Sequence, residues 1–154
     1  MEDRYLFRAK RIDNGEWIVG DLTQNKFLRG MRSWISSEKY DPKRLRKISK
    51  NMAQWRSVEV DPSTICQCTG IKDKNGKLIW EKDIVDGHVK RGAAFLNCLV
   101  LWNESKARFD VRAKGCNFPM TLDEVAGDMS VGGLDYEVVG NRFDNPELLE
   151  LLEV

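Results

Sequence analysis

The sequence predicts an α+β fold, mainly β: an N-terminal β-hairpin unit with a basic amphipathic helix, then a small β-barrel and a short C-terminal helix. Three observations point there. Asn14-Gly15, Asn75-Gly76 and Asp86-Gly87 punctuate short apolar segments, as hairpin turns do. The segments between them alternate apolar and polar residues or run briefly apolar, which is strand texture. Residues 42–54 instead repeat their apolar positions at helical spacing.

The elements follow in order. Tyr5 to Lys10 reads as a strand, Asn14-Gly15 as its turn and Trp17 to Leu22 as the partner. Phe27 to Ile35 is weakly strand-like, with Phe27, Met31 and Trp34 as its bulky residues. Asp41-Pro42 marks a helix start, Asp at the N-cap and Pro at the first helical position. Leu45, Ile48, Met52 and Trp55 then fall within an arc of about 80°, and Lys43, Arg46, Lys47 and Lys50 share the opposite side. Trp55 to Val60 reads as a strand ended by Asp61-Pro62, the candidate boundary between a unit over 1–60 and a barrel over 61–154, if the chain is not one continuous domain.

Beyond it, Ile65 to Thr69 alternates, Asp73 to Gly76 is a turn, and Leu78 to Trp80 and Asp83 to Val85 are short strands, the latter closed by Asp86-Gly87. Cys98 to Trp102 is continuously apolar and Arg108 to Arg112 alternates strictly. Thr121-Leu122-Asp123-Glu124 is a capping box opening a helix over 122–129. Tyr136 to Gly140 is the last strand, and Asn145-Pro146 starts the C-terminal helix. The barrel reading pairs 78–85, 98–103, 107–112 and 136–141 in one curled sheet, with Ile79, Ile84, Leu99, Leu101, Phe109 and Val138 facing inward.

Composition narrows the function classes. The chain has 154 residues, 42% hydrophobic and 32% charged, which is globular, and its net charge is only +1. No apolar run approaches the roughly 20 residues of a membrane span. Met1-Glu2-Asp3-Arg4 does not read as a signal peptide, so a cytoplasmic location with reduced cysteines is expected. The charge is unevenly spread. Residues 1–60 carry 14 bases and 8 acids, a net +6, and 61–154 carry 11 bases and 16 acids, a net −5. Within 26–56 there are 10 bases against Glu38 and Asp41, a net +8. Such separation points to a local contact with a polyanion rather than a general nucleic-acid coat.

Three segments resemble the YopX-like proteins of bacteriophages and prophages. They are Ile18-Val19-Gly20-Asp21-Leu22; Val60 to Ile65 continuing through Gln67, Thr69-Gly70 and Ile71 to Lys77, then Glu81 and Asp83-Ile84-Val85; and Val138-Val139-Gly140-Asn141 with Asn145-Pro146-Glu147-Leu148-Leu149. The resemblance implies a phage-encoded cytosolic protein of the bacterial host with a β-rich fold containing a small SH3-like β-barrel, and it carries over no activity or ligand residues. Two departures stand out. Cys66-Gln67-Cys68-Thr69-Gly70 replaces the usual Gly-Gln-Tyr-Thr-Gly, and Lys82 stands where Gly is frequent, a residue suited to a turn of positive φ. The motif residues also read as hairpin punctuation.

Candidate chemistry is sparse. His88, the only histidine, reads as an exposed residue in a turn after Asp86-Gly87, though a pair with Cys66, Cys68, Cys98 or Cys116 is formally open. Ser130 lacks the first glycine of a nucleophile elbow, and Gly132-Gly133 is too short for a phosphate loop. Glu81 and Asp83 lie two apart on one strand face and are expected to fix turns and face water. Cys66 and Cys68 share a strand face, but Cys-x-Cys on a strand fits zinc poorly. No metal, cofactor or catalytic residue is expected. The cationic helix face is the sharpest feature: Lys43, Arg44, Arg46, Lys47 and Lys50 would track phosphates, with Arg32 nearby and Trp34, Tyr40 and Trp55 available to stack on bases. The expected function is that of a non-enzymatic accessory protein binding nucleic acid. The alternative is a protein-interaction or self-assembly module that meets a phage or host protein or forms homo-oligomers; an enzyme stands third.

Overall fold

A computed structural model describes residues 5–37, 57–89, 94–113, 120–122 and 134–150. The chain divides into two compact units, 2–67 and 68–154. In the first, β1 (Phe7–Lys10) pairs with β2 (Trp17–Phe27), β2 with β3 (Gly30–Ser36) and β3 with β4 (Ser57–Val60), all antiparallel. The Asn14 side chain accepts from the Glu16 amide at 2.9 Å and Gly15 takes φ +72°, which forms the first turn at the residues whose chemistry favours it. Asp61 caps a 3-10 turn over Pro62–Thr64, its carboxylate accepting from the Ser63 amide. From there β5 (Cys66–Lys72) starts beside β1, Cys66 opposite Arg8.

Period-two alternation sorts the side chains of this sheet. Ala9, Ile18, Ile35 and Val60 form its core, with Phe7, Leu22, Val58 and Ile65 packed around them. The sheet curls: Arg11 bridges Val60, the Ile12 amide donates to Glu59 O at 3.2 Å, and the Asp61 amide donates to Lys10 O at 2.8 Å, so the end of β1 reaches round to β4.

In the second unit β5 continues beside β6 (Leu78–Trp80). A five-stranded antiparallel sheet follows in the order β10-β9-β8-β7-β11, from β7 (Asp83–Val89), β8 (Ala94–Asn103), β9 (Arg108–Arg112), β10 (Met120–Thr121) and β11 (Leu134–Asn141). The helix α1 (Glu147–Glu150) comes after Asn145-Pro146. The core holds Ile79, Val85, Cys98, Val100, Val111, Leu122 and Tyr136, with Phe109 and Val138 against it.

Several expectations change. The chain is mainly β, in two antiparallel sheets, but the described strands of 78–141 do not close into a barrel: β10 and β11 are the edges of an open sheet, and β6 joins β5 instead. The facing of β8 is shifted by one residue. Cys98 and Val100 are fully buried, whereas Leu99 and Leu101 are half-buried on the other face, where Leu99 lies opposite the buried Ile84. An all-apolar run has no polar residue to mark its outer face, so the sequence could not set this parity. Strand β7 does not stop at Asp86-Gly87. Asp86 instead accepts from the Asn97 amide at 2.8 Å, Asn97 takes φ +53°, and the register shifts between Val85 and Gly87, the marks of a bulge. Phe27 to Ile35 is not one strand but part of a hairpin turning at Leu28-Arg29. The expected helix over 42–54 lies outside the described residues, as does all but the start of that over 122–129.

Candidate nucleic-acid interface

Lys43, Arg44, Arg46, Lys47 and Lys50, with Tyr40 and Trp55, lie outside the described residues. Their described neighbours Arg32 and Trp34 lie on the outer face of the first sheet. On β3, Ser33 and Ile35 are buried, so alternation turns Arg32 and Trp34 outward. On β2 the same rule turns Trp17, Val19, Asp21, Thr23, Asn25 and Phe27 outward, and the register sets Trp34 opposite Thr23 and Arg32 opposite Asn25.

Arg32 is the centre of this face. Its guanidinium sits 5.6 Å from the Phe27 ring and 5.2 Å from that of Trp34, whose centroids are 6.2 Å apart at an edge-on angle. Its Nε and Nη2 donate to the two carboxylate oxygens of Glu59 on β4, at 2.8 and 2.7 Å. This fork matches a carboxylate or a phosphate equally well. The hydrogen bonds and charge of Arg32 hold the Glu59 carboxyl below its ordinary range. At the other end of the face, Trp17 carries Arg8 at 4.7 Å and Lys10 at 5.4 Å from its ring. The sheet therefore displays two clusters in which cations stack on indole rings, and guanidinium and indole faces are the groups on which nucleobases stack. Sequence reasoning noticed Arg32 and Trp34 but missed Phe27, Arg8 and Trp17 as their companions. Only the strand register shows that residues so separated share a face.

The other candidates resolve differently. His88 is not in a turn: it lies within β7, half-buried, opposite Asp135 of β11. Glu81 and Asp83 do not share a strand face. Glu81 is in the turn after β6, and Asp83 is buried, accepting from the Trp80 amide at 2.8 Å, so it fixes a turn without facing water. Cys66 and Cys68 point to one side of β5 and are fully buried, and Cys98 is buried in the second core. Cys116, Ser130 and Gly132-Gly133 lie outside the described residues. Among the described residues, no three His, Cys, Asp or Glu side chains gather as a metal site would require. No helix among them is long and apolar enough to cross a membrane.

A family model described as "YopX protein" matches residues 6–150, nearly the whole chain. The chain belongs to the YopX family. No curated protein matches it.

The segments that carry the YopX resemblance do structural work. A Cβ on Gly20 would run into the Ser36 carbonyl, so only glycine lets β2 approach β3 there. Thr69 Oγ1 donates to Ile79 O at 2.7 Å and accepts from the Ile71 amide at 3.1 Å, which stitches the irregular β5–β6 pairing. Lys82 takes φ +65°, its amide donating to Val100 O and its carbonyl accepting from the Arg142 amide. The position does need a positive φ, and in this YopX protein a lysine meets that need. Asn141 Oδ1 accepts from the amides of Phe143 and Asp144, and Asn145 Oδ1 accepts from the Asn141 amide at 3.3 Å. A Cβ on Gly140 would lie 2.5 Å from that same Asn145 oxygen. These YopX-pattern residues build turns, bulges and close approaches, while the aromatic and cationic face lies largely outside the pattern.

Proposed function

We propose that this YopX-family chain is a non-enzymatic, phage-encoded accessory protein of the bacterial cytoplasm that makes a weak, sequence-tolerant contact with nucleic acid. One observation carries the reading: Arg32 set against both Phe27 and Trp34 on an outward strand face, inside a stretch, 26–56, whose net charge is +8. Phosphate attraction supplies the affinity and ring and guanidinium faces supply base contacts without sequence choice. The basic helix over 42–54 belongs to the same proposal, with Lys43, Arg44, Arg46, Lys47 and Lys50 as phosphate contacts. The SH3-like barrel was expected over 61–154, where the described strands form an open sheet; we propose that the first unit takes that form instead. Support comes from the strand order β4-β3-β2-β1-β5, the 3-10 turn before β5 and the curl that brings Arg11 to Val60.

The test is a mobility-shift titration over a salt series. The expected dissociation constant is about micromolar or weaker at physiological salt. Lys43, Arg46, Lys47 and Lys50 would give a log–log slope of roughly −3 to −4, and charge reversal at Lys47 and Lys50 should remove most of it without unfolding the protein. A flat salt response would sink the reading. A second reading, self-assembly or a protein partner, is favoured by the exposed Phe27, Leu28 and Met31 and by the opposite charges of the two halves. It predicts salt-sensitive oligomers in light scattering without nucleic-acid binding.

A further inference from the structure

The β2–β3 hairpin outgrows the sheet that carries it. Strand β1 pairs with β2 only over Trp17–Gly20, and β4 pairs with β3 only over Ser33–Ser36. Residues 25–32 therefore pair only with each other, Asn25 with Arg32, Lys26 with Met31 and Phe27 with Gly30. At about 3.3 Å per residue, the arm reaches roughly 10 Å past β4 and roughly 20 Å past β1. An arm this long would be limp without support. Arg32 supplies support, since its fork ties the arm to Glu59 of β4 while its guanidinium packs beside the edge-on Phe27–Trp34 pair.

The tip is chemically mixed. Leu28 is fully exposed, at 109%, and Phe27 and Met31 are about half exposed, at 46% and 51%. Lys26 and Arg29 flank Leu28, and neither makes an ion pair among the described residues. A monomeric protein gains nothing by holding three apolar side chains in water at the end of a braced arm. The flanking cations specify what would cover them: a partner offering apolar contact between rows of negative charge.

We infer that the β2–β3 arm is a ribbon that enters the major groove of duplex DNA, with Lys26 and Arg29 on the flanking phosphates and Leu28 against thymine methyl groups. The inference rests on the phosphate contact of the nucleic-acid reading above and adds to it the kind of nucleic acid and the element that enters it; the bases of a duplex offer their edges rather than their faces, so here the Phe27–Arg32–Trp34 cluster braces the arm instead of stacking on bases. The geometry agrees: two strands about 4.8 Å apart with their side chains fit a groove about 12 Å wide, which admits a two-stranded ribbon. The same tip cannot enter the deep, narrow major groove of A-form RNA.

The experiment uses the full chain with matched duplexes of DNA, of DNA carrying uracil for thymine, and of RNA, titrated over a salt series beside light scattering. The DNA duplex should bind about tenfold tighter than the RNA duplex, and uracil should weaken it. Leu28→Ala should cost about tenfold on DNA at unchanged salt slope, because apolar surface is lost and no phosphate contact is. The double change Lys26→Ala with Arg29→Ala should flatten the slope by about 1.8. Leu28 is fully exposed, so its truncation leaves folding intact. Equal binding to both duplexes, unaffected by the tip changes, would overturn the arm while leaving nucleic-acid binding standing. Absence of salt-dependent binding by the unmodified chain would overturn both. Tip changes that alter the mass in solution but not DNA binding would make the arm a self-association element and overturn the proposal.

Discussion

Asp73 is the residue on which the second unit most depends for its polar contacts, and Asp73→Asn tests that dependence. The side chain is buried, at 8% exposure. Oδ1 accepts from the amides of Asn75 and Lys77, both at 2.9 Å, and Oδ2 accepts from the Val138 amide at 3.1 Å. Beside it the Lys74 amide donates to Tyr136 O at 2.8 Å. The Asp73–Gly76 turn thus occupies the outer edge of β11 and satisfies groups that would otherwise invite another strand. Asparagine keeps the shape and one acceptor, but its NH2 group must then face either the Val138 amide or the two turn amides, donor against donor. Asn75 and Lys77 are exposed, so water would replace part of their loss, whereas Val138 is half-buried and its loss would cost more.

Losing the half-buried Val138 bond would cost about 1–3 kcal/mol and losing the two exposed bonds about 0.5 kcal/mol each, so whichever way the amide turns the cost is about 1–3 kcal/mol. The acid limit gives a second check. Burial is the largest influence on the Asp73 carboxyl and pushes its pKa up, but the amides of Val138, Lys77 and Asn75 together outweigh burial and leave it below the ordinary value. A group depressed by folding contributes its full stabilisation above its unfolded pKa and loses it as pH falls through the folded one. Urea unfolding of the natural chain and of Asp73→Asn should therefore differ by about 1–3 kcal/mol at pH 7, and the gap should shrink once the pH drops below about 4. A difference under about 0.5 kcal/mol at pH 7, or one that persists unchanged into acid, would refute the reasoning.

Other substitutions probe the same logic. Gly20→Ala must displace the Ser36 backbone and Gly140→Ala must displace the Asn145 side chain; urea midpoints should show the first costing more than about 2 kcal/mol and the second less, because a side chain yields more readily than a strand. Lys82→Gly relieves a left-handed lysine at φ +65° at the expense of its contact with the Phe143 ring at 5.6 Å, and thermal melts should show a gain of about 0.5–1 kcal/mol. Tyr136 is 3% exposed with a hydroxyl that finds no hydrogen-bond partner among the described residues, so Tyr136→Phe should be neutral or stabilising by up to about 1 kcal/mol, and a loss of more than that would reveal a hidden partner.

The sequence by itself determined the features that depend on neighbouring residues. Asn14-Gly15, Asp61-Pro62 and Asp73 to Gly76 each turn the chain where they were expected to, because Asn and Asp side chains bond to amides two or so residues away, and glycine accepts the φ required. Strict alternation over Arg108–Arg112 located β9, and the strand texture of Tyr136–Gly140 located β11. Lys82 was flagged by a departure from the YopX pattern, and its backbone does occupy the left-handed region.

Tertiary structure decided everything that depends on which strand lies beside which. The inward face of β8 went to Cys98 and Val100 because the bulge at Asn97, held by Asp86 on another strand, sets the parity of an apolar run that carries no mark of its own. Leu28-Arg29 offers no turn residue of its own and only Gly30, at φ +125°, marks the turn; a lone glycine does not fix a hairpin, so the arm became legible from the pairing of β2 with β3. Phe27, Arg32 and Trp34 meet for the same reason: their side chains converge once the register places Arg32 opposite Asn25 and Trp34 opposite Thr23. Local chemistry acts over a few bonds and can be read along the chain, whereas register depends on contacts between residues far apart in sequence, so the candidate interface came into view only with the fold.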